Sequence, residues 1–336
     1  MKAMILQKQA DISENPLALR EIDKPEPGKG QVRIRVDCCA VCRTDLHIVE
    51  GDLKPHQLPI VPGHQTVGVV DAVGEGCERF AEGDRIGAAW LGWACGSCRF
   101  CQSDRENLCY DARFTGYDFD GGYAEYALAW EAFCYELPSE AEAAADEIAP
   151  LLCAGIIGYR AYLRASVPNS GRLALVGFGS SAHLLMQLLR AKDCRVFVVT
   201  RSEGHQQMAR EMGAEWVGDD PSELPEPMDA TIIFAPAGPL VSAMLERTER
   251  GGIISMAGIH MSPIPEMDYD THLYFERELR SVMNNTRADG RNWLAEAREA
   301  GVSPAITRYK LSDANRALRE MKSSDIDGTA VLMIGD

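Results

Sequence analysis

A short cysteine-rich stretch, from Gly92 to Cys109, constrains the fold of this chain more than any other segment. Its cysteines have the spacing C-x2-C-x2-C-x7-C and are Cys95, Cys98, Cys101 and Cys109. The stretch is polar and has no apolar stripe to bury, so a hydrophobic core does not hold it. Four thiolates around one zinc ion would hold it and leave no coordination position for chemistry. The spacing therefore predicts a structural zinc, with an iron–sulfur cluster or a disulfide pair as alternatives.

Length and charge limit the class of protein. The chain has 336 residues, enough for two domains, and 46% of them are hydrophobic. Its net charge of −16 argues against nucleic-acid and anionic-membrane partners, because nothing would offset the repulsion from phosphates. We find neither a signal peptide nor an apolar run long enough to cross a membrane. Together with the eleven cysteines, this predicts a cytoplasmic protein that uses its thiols for metal binding or catalysis.

A second group of metal ligands is spread along the chain. Cys42 lies in the sequence Cys-Arg-Thr-Asp-Leu-His, and His64 follows a Pro-Gly turn. Two ligands do not make a site, and Cys153 is the candidate for a third. Three protein ligands and one open position are typical of a catalytic zinc. The alternatives are a buried core thiol at Cys153 and a turn histidine at His64.

The sequence Gly-x-Gly-x-x-Ala follows an apolar strand at Leu173–Val176 and begins a helix. Such a strand, turn and helix are the context that a dinucleotide-binding fingerprint requires. Gly177 makes the tight turn, Gly179 lets the backbone approach a pyrophosphate, and Ala182 keeps helix and sheet close. Ser180 and Ser181 open the helix, whose N-terminus would face the phosphates.

The end of the next strand predicts which dinucleotide binds. A site for NAD normally has Asp or Glu there, whereas this chain has Thr200, Arg201 and Ser202. An arginine with small hydroxyl groups suits the additional 2′-phosphate of NADP. The alternative is that Arg201 is a solvated loop residue, and the neighbouring Glu203 does not favour a phosphate.

The remaining pattern predicts the architecture. Residues 1–90 are β-rich, and the alternation in Val32–Asp37 predicts a strand with one wet face. A helical pattern runs from Asp146 to Leu163. Alternating strands and helices then predict a parallel, doubly wound sheet. Residues 331–334 predict a terminal strand that returns to the first domain.

In the order and spacing of these motifs, the chain resembles the zinc-dependent medium-chain alcohol dehydrogenases, and within them the cinnamyl-alcohol-dehydrogenase-like branch. The resemblance implies a fold of class α/β plus a β-rich domain, in which a Rossmann domain is inserted into a GroES-like catalytic domain. It places the catalytic domain at 1–152 and 301–336, with a structural-zinc lobe at about 92–110, and the Rossmann domain at 153–300. It also makes Cys42, His64 and Cys153 the ligands of a catalytic zinc, so two zinc ions are expected per chain.

The resemblance assigns further roles. Thr44 takes the proton of the alcohol, His47 passes it to solvent through the cofactor ribose, and Asp45 orients His64. Arg43 matches a cation that binds the pyrophosphate, while Trp90, Leu91 and Tyr123 fall near positions that line the substrate pocket. One residue departs from the pattern, since Gln65 stands where the family usually has glutamate. The neutral amide lowers the negative charge near the metal.

These observations predict an enzyme that interconverts a primary alcohol and an aldehyde with NADP(H), in the direction of aldehyde reduction in cells. The alternatives are an alcohol dehydrogenase that prefers NAD, and a non-catalytic redox sensor that binds zinc and a nucleotide. The expected partners are a small alcohol or aldehyde and, as in relatives, further copies of the chain in a homodimer or homotetramer.

Overall fold

The computed structural model describes residues 1–323, 325–326 and 328–335 and divides the chain into two compact units. The first contains Met1–Cys153, Thr286–Arg291 and Pro304–Asp336, and the second contains Ala154–Asn285 and Asn292–Ser303. Cys153 thus belongs to the first unit, whereas the family resemblance implied that it begins the Rossmann domain. The predicted segment 301–336 includes residues 324, 327 and 336, which lie outside the described residues.

Strands predominate in the first half of the chain, and strands and helices alternate in most of the second half. The strands are β1 (Lys2–Leu6), β2 (Leu17–Glu21), β3 (Gln31–Ala40), β4 (Gln65–Val73), β5 (Arg85–Ala88), β6 (Leu91–Trp93), β7 (Arg113–Phe114), β8 (Tyr126–Trp130), β9 (Cys134–Glu136), β10 (Arg172–Val176), β11 (Arg195–Val199), β12 (Trp216–Gly218), β13 (Met228–Ile233), β14 (Thr248–Met256), β15 (Glu278–Ser281), β16 (Ile306–Lys310) and β17 (Thr329–Met333). The α-helices are α1 (Arg43–Glu50), α2 (Ala145–Ile148), α3 (Ala154–Ala165), α4 (Ser180–Ala191), α5 (Glu203–Glu211), α6 (Pro239–Glu246), α7 (Tyr269–His272), α8 (Arg287–Glu299) and α9 (Ala314–Ser323).

The first unit is built on a largely antiparallel sheet of order β16-β17-β3-β4-β5-β9, with β8 also paired to β3. Strand β17 pairs antiparallel with Cys38–Ala40 of β3, which confirms the predicted terminal strand. Val32, Ile34 and Val36 of β3 are buried in the core of this unit. The alternate residues of β3, which point to the opposite face of the sheet, are only partly exposed to solvent. Arg35 is exposed, but Arg33 is buried and pairs with Asp71 at 2.7 Å.

Two stretches of the chain differ from the predicted pattern. Strand β16 and helix α9 lie in a region where the sequence predicts no element, and Leu318 on α9 is buried in the core. The helix predicted from Asp146 to Leu163 is interrupted. It consists of α2, a 3₁₀ turn at Ala149–Leu152 with Pro150 in its first turn, and α3, which begins only after Cys153.

The second unit is a six-stranded sheet of order β12-β11-β10-β13-β14-β15, in which every neighbouring pair is parallel. This confirms the predicted doubly wound sheet. Apolar strands such as β10 and β11 are buried because helices cover a parallel sheet on both faces. No helix within the described ranges is both long and apolar enough to cross a membrane.

Candidate active site and metal centres

The four cysteines of the Gly92–Cys109 stretch come together in a small lobe, which strands β6 and β7 join to the rest of the first unit. The Sγ atoms are 3.6 Å apart for Cys98 and Cys101, 3.5 Å for Cys95 and Cys109, and 4.0 Å for Cys95 and Cys101. A tetrahedral zinc with Zn–S bonds of about 2.3 Å needs sulfurs about 3.8 Å apart. A disulfide needs about 2.05 Å. The lobe therefore fits one metal ion, and its cysteines are free thiols.

The backbone of the lobe supports thiolates. Hydrogen bonds from the backbone of Ser97 and Cys98 lower the pKa of Cys95 to about 6. The lobe is also attached to the remainder of the unit by Glu106. Its side chain is 6% exposed and accepts hydrogen bonds from the backbone N–H and Nε of Arg287. Few apolar residues are buried here, so a metal ion would contribute much of the stability of the lobe.

Cys42, His64 and Cys153 also converge, and their ligand atoms all lie within 4.8 Å of one another. Strands β3 and β4 bring the first two together, because Ala40 pairs with Gln65 and the chain then continues into Cys42 on one side and His64 on the other. Cys153 is 111 residues from Cys42, yet their Sγ atoms are 3.9 Å apart. That distance matches one edge of a tetrahedral zinc site.

The interruption of the helical segment explains how Cys153 reaches this group. Its backbone (φ −135°, ψ −64°) is not helical and separates the 3₁₀ turn from α3. In an uninterrupted helix the direction of the Cys153 side chain would be set by the regular rotation of 3.6 residues per turn. The predicted continuous helix is wrong here because the local pattern does not contain this break.

Hydrogen bonding fixes the orientation of His64, which is fully buried. Its Nδ1 lies 3.0 Å from Oδ1 of Asp45, so Nδ1 carries a proton and Nε2 is the ring nitrogen left for a metal. Nε2 is buried and has no hydrogen-bond partner among the residues that the structure describes. A buried ring nitrogen without a partner, beside two thiols, is the arrangement that a metal ion would satisfy.

Electrostatics in this group favour a cation. The hydrogen bond between the two thiols lowers the pKa of Cys42 well below its ordinary value and raises the pKa of Cys153 well above it. Burial lowers the pKa of His64, but the charges of Asp45 and Cys42 outweigh it and raise the pKa to about 10. Without a metal, this positive charge is a second proton on the imidazole of His64. A divalent metal would displace that proton from Nε2 and supply the positive charge itself.

Helix α1 carries the residues predicted to move a proton. Thr44 is 8% exposed, and its Oγ1 lies 3.7 Å from Sγ of Cys42. His47 follows one helical turn later, and its Nδ1 lies 2.7 Å from Oδ2 of Asp52. Gly51 ends the helix in a left-handed conformation (φ 94°), so the chain turns back and brings Asp52 beside His47. Asp52 itself is half exposed.

Aromatic side chains form a wall next to the ligand group. Trp90 contacts His64 edge-on, with ring centroids 5.0 Å apart. Phe114 and Tyr117 stack on Trp90 at 5.0 and 5.8 Å. Leu91, which the resemblance placed near the pocket, is buried in strand β6. The wall therefore consists of flat, apolar surface beside His64.

Two further residues lie close to His64, and neither lines a substrate pocket. Tyr123 is fully buried, and its hydroxyl donates to Oδ2 of Asp45 at 3.2 Å, so it supports the ligand group from behind. Gln65 is buried as the first residue of β4. Its amide adds no charge beside His64.

The predicted dinucleotide residues lie on the second unit, at the carboxyl ends of β10 and β11. Gly177 has φ 89°, and its N–H donates to the carbonyl of Val199. A Cβ on Gly179 would meet no atom within 4 Å, which leaves space for a phosphate in front of α4, whose first residues are Ser180 and Ser181. Ala182 is fully buried. This geometry fits a pyrophosphate at the N-terminus of α4.

At the end of β11, Thr200 is buried, Arg201 is exposed and Ser202 is the N-cap of α5. The parallel register of β10 with β11 places these residues at the same edge of the sheet as Gly177. Arg43, the remaining predicted cofactor residue, is the first residue of α1 in the first unit, and its Nη2 lies 3.5 Å from the carbonyl of Met321.

Comparison with known proteins gives consistent results. Residues 28–139 match the alcohol dehydrogenase GroES-like domain. The chain is 42% identical over 339 residues to the probable alcohol dehydrogenase AdhA of Mycobacterium tuberculosis, covering 99% of this chain and 97% of that protein. It is 31% identical to an alcohol dehydrogenase of Geobacillus stearothermophilus, covering 99% and 100%.

The chain belongs to the zinc-dependent medium-chain alcohol dehydrogenase family. Among solved structures, a cinnamyl alcohol dehydrogenase from Sorghum bicolor superimposes with a TM-score of 0.87 at 25% identity, covering 98% of this chain and 97% of that one. This agrees with the branch that the sequence indicated. The protein is therefore an oxidoreductase with alcohol dehydrogenase activity.

The sequence did not indicate Asp52 as a site residue of this alcohol dehydrogenase, and it indicated Tyr123 only as a pocket residue. Asp52 could have been suspected, because a carboxylate directly after a helix-ending glycine can fold back onto the last turn. The contact of Tyr123 with Asp45 had no signal, because the two residues are 78 positions apart.

Proposed function

We propose that the enzyme interconverts primary alcohols and aldehydes at a zinc ion held by Cys42, His64 and Cys153. The observation that carries this proposal is the buried Nε2 of His64, which lacks a hydrogen-bond partner within the described residues and faces two thiols. Three protein ligands leave a fourth position for a substrate oxygen. Trp90 adds an apolar wall beside them, which suits an aromatic or other apolar substituent on the substrate.

A zinc ion bound here would polarise the substrate oxygen and lower the pKa of an alcohol. The chain supplies the proton path. Oγ1 of Thr44 accepts the hydroxyl proton of the alcohol as it releases its own hydroxyl proton, and the imidazole of His47, one turn along α1, takes up the released proton and passes it towards solvent. Asp52 accepts a hydrogen bond from His47 and stabilises the positive charge that the imidazole gains. In aldehyde reduction the same groups return the proton.

The proposed zinc is tested by removing one ligand at a time. We expect Cys153→Ala and Cys42→Ala to lose one zinc per chain and most of the aldehyde reductase activity, while the far-UV circular dichroism remains unchanged. Cys194→Ala is the matched control, since Cys194 is a free thiol in the second unit. Wild-type turnover in either ligand variant would refute the site.

We infer that the hydride carrier is NADP(H) and that the enzyme reduces aldehydes in cells. Support comes from Arg201, which is exposed beside the hydroxyls of Thr200 and Ser202 at the sheet edge where the Gly177 turn lies. A guanidinium recognises a phosphate through two parallel hydrogen bonds. NADPH would supply the hydride that the aldehyde carbon receives.

Initial rates with NADPH and NADH test this assignment. We expect wild type to prefer NADPH, and Arg201→Ala to raise the KM for NADPH about tenfold or more while leaving the KM for NADH unchanged, because only NADPH carries the 2′-phosphate. Arg210→Ala, another exposed arginine on the same unit, is the control. A preference of wild type for NADH would contradict the proposal.

The cysteine lobe is proposed to hold a second, structural zinc, which makes two zinc ions per chain. A homo-oligomer is also proposed, because β15 forms an open edge of the parallel sheet and the nearby Tyr269 and Tyr274 are 62% and 59% exposed. Metal analysis and sedimentation measure these two properties directly. A single zinc per chain, or a monomer at micromolar concentration, would contradict the respective proposal.

A further inference from the structure

The carboxylate of Asp45 is enclosed more completely than orientation of one histidine requires. The side chain is 0% exposed. It accepts hydrogen bonds from three donors within the described residues: the backbone N–H of Cys42 at 2.8 Å, Nδ1 of His64 at 3.0 Å and the hydroxyl of Tyr123 at 3.2 Å. Two of these donors belong to proposed zinc ligands, and the third does not.

We propose that Tyr123 is a positioning residue for the catalytic metal and acts through Asp45. This inference rests on the proposed zinc at Cys42, His64 and Cys153. A buried carboxylate is stable only when donors occupy its lone pairs. Oδ2 is shared by Cys42 and Tyr123, whereas Oδ1 holds His64. By fixing Oδ2, the tyrosine hydroxyl sets the plane of the carboxylate and so the direction in which Nε2 of His64 points.

The packing of Tyr123 supports this role. Its backbone N–H donates to the carbonyl of Pro62 at 3.0 Å, and its ring lies against Gly63, the residue before His64. A Cβ on Gly63 would lie 2.3 Å from the ring, and the φ of this glycine is 101°. Tyr123 therefore contacts the turn that presents His64 as well as the carboxylate that orients it. Burial and the charge of Asp45 raise the pKa of Tyr123, so its hydroxyl remains a donor.

Removing only the hydroxyl separates orientation from packing. Tyr123→Phe keeps the ring against Gly63 and the backbone hydrogen bond to Pro62, so the fold is retained. Oδ2 of Asp45 loses a donor, and the carboxylate can rotate away from the plane that His64 needs. Loss of a residue that orients a metal ligand weakens metal binding by about 10- to 100-fold. Tyr123 contacts the residue that orients His64 and does not contact His64 by a hydrogen bond itself, so we expect zinc binding to weaken by a factor near the lower limit of this range.

The test is chelator competition on the zinc-loaded protein, with metal release followed as two separate phases. The phase that is absent from Cys153→Ala is the catalytic zinc, and the lobe zinc serves as an internal reference. We expect Tyr123→Phe to release the catalytic zinc about tenfold more readily and to leave the lobe zinc unchanged. The matched control is Tyr309→Phe, which removes another buried hydroxyl that contacts a carboxylate, that of Glu320, in the same unit.

A second variant shows whether the effect passes through Asp45. In an Asp45→Asn background the additional effect of Tyr123→Phe should disappear, because residues that act as a unit are not additive. The inference is overturned if Tyr123→Phe holds both zinc ions as wild type does, if it weakens both equally, or if its effect persists beside Asp45→Asn. If wild-type protein contained only the lobe zinc, the proposed catalytic site would be refuted. That outcome is distinct from the three that overturn the role of Tyr123.

Discussion

Among single residues, Thr44 has the most demanding proposed role. Its hydroxyl lies 3.7 Å from Sγ of Cys42 and is nearly buried, so it can reach an oxygen beside the ligand group. We predict that Thr44→Val lowers kcat for alcohol oxidation by about 100-fold or more, since valine keeps the shape but cannot accept or donate a proton. Steady-state kinetics at neutral pH measure this loss.

Thr44→Ser is the matched control, because serine keeps the hydroxyl and removes only a methyl group. We expect it to retain activity within about tenfold of wild type, with the zinc content of both variants equal to wild type. Equal losses for the valine and serine variants would show that packing at this position matters and that the hydroxyl does not.

The residues around the ligands divide into those that local sequence can predict and those that it cannot. Asp45 is the third residue of α1, so helical geometry returns its carboxylate to the backbone N–H of Cys42 at the start of that helix. Tyr123 reaches Asp45 only because the turn at Gly63 has a left-handed conformation that leaves room for the ring. No pattern along the chain contains that information.

For whole elements, apolar runs predicted the strands of the parallel sheet well, because a strand buried on both faces has a simple signature. The prediction was wrong where contacts with residues distant in the sequence, which periodicity does not show, accompany the local conformation. Cys153 interrupts a helical pattern, and Arg33 is buried in a strand expected to have one wet face, since Asp71 and Glu26 pair with it. Buried charges with partners are invisible to hydrophobic periodicity.

One ion pair joins two elements of the parallel sheet. At the start of β10, the guanidinium of Arg172 binds both carboxylate oxygens of Asp229 on β13, and its backbone N–H donates to the same group. The hydrogen bonds from Arg172 lower the pKa of Asp229. A carboxylate with a lowered pKa in the folded state stabilises the fold above its unfolded pKa of about 3.9, and this stabilisation is lost as the pH falls through the folded value.

We therefore predict that Asp229→Asn lowers the free energy of unfolding by about 1–2 kcal/mol at pH 7, and that the difference from wild type shrinks as the pH falls below about 4. Urea denaturation at several pH values measures it. Glu249→Gln is the control, because Glu249 is 42% exposed and lies 3.6 Å from Arg172, where an ion pair contributes little. A constant difference at all pH values would mean that the amide disturbs packing.

For the whole molecule, the net charge of −16 opposes compactness. Like charges on a folded surface are closer together than in the unfolded chain, so their repulsion destabilises the native state. Salt screens this repulsion over a Debye length of about 8 Å at physiological ionic strength. Salt also screens attractive pairs such as Lys322 with Asp11, but exposed pairs of that kind contribute at most about 1 kcal/mol each. Whether salt raises or lowers the stability of the fold depends on which is larger, the repulsion among the excess acidic charges or the attraction within the ion pairs.

We predict that the repulsion dominates, so that raising NaCl from about 10 to about 150 mM increases the Tm at pH 7 by a few degrees. The increase should become small at pH 5, because the sequence pI is about 4.9 and the net charge there is near zero. Sucrose at the same osmolarity is the control for effects of solute that are not electrostatic. Differential scanning calorimetry in both solutes gives the answer, and a Tm that falls with salt at pH 7 would show that the ion pairs outweigh the excess of acidic charge.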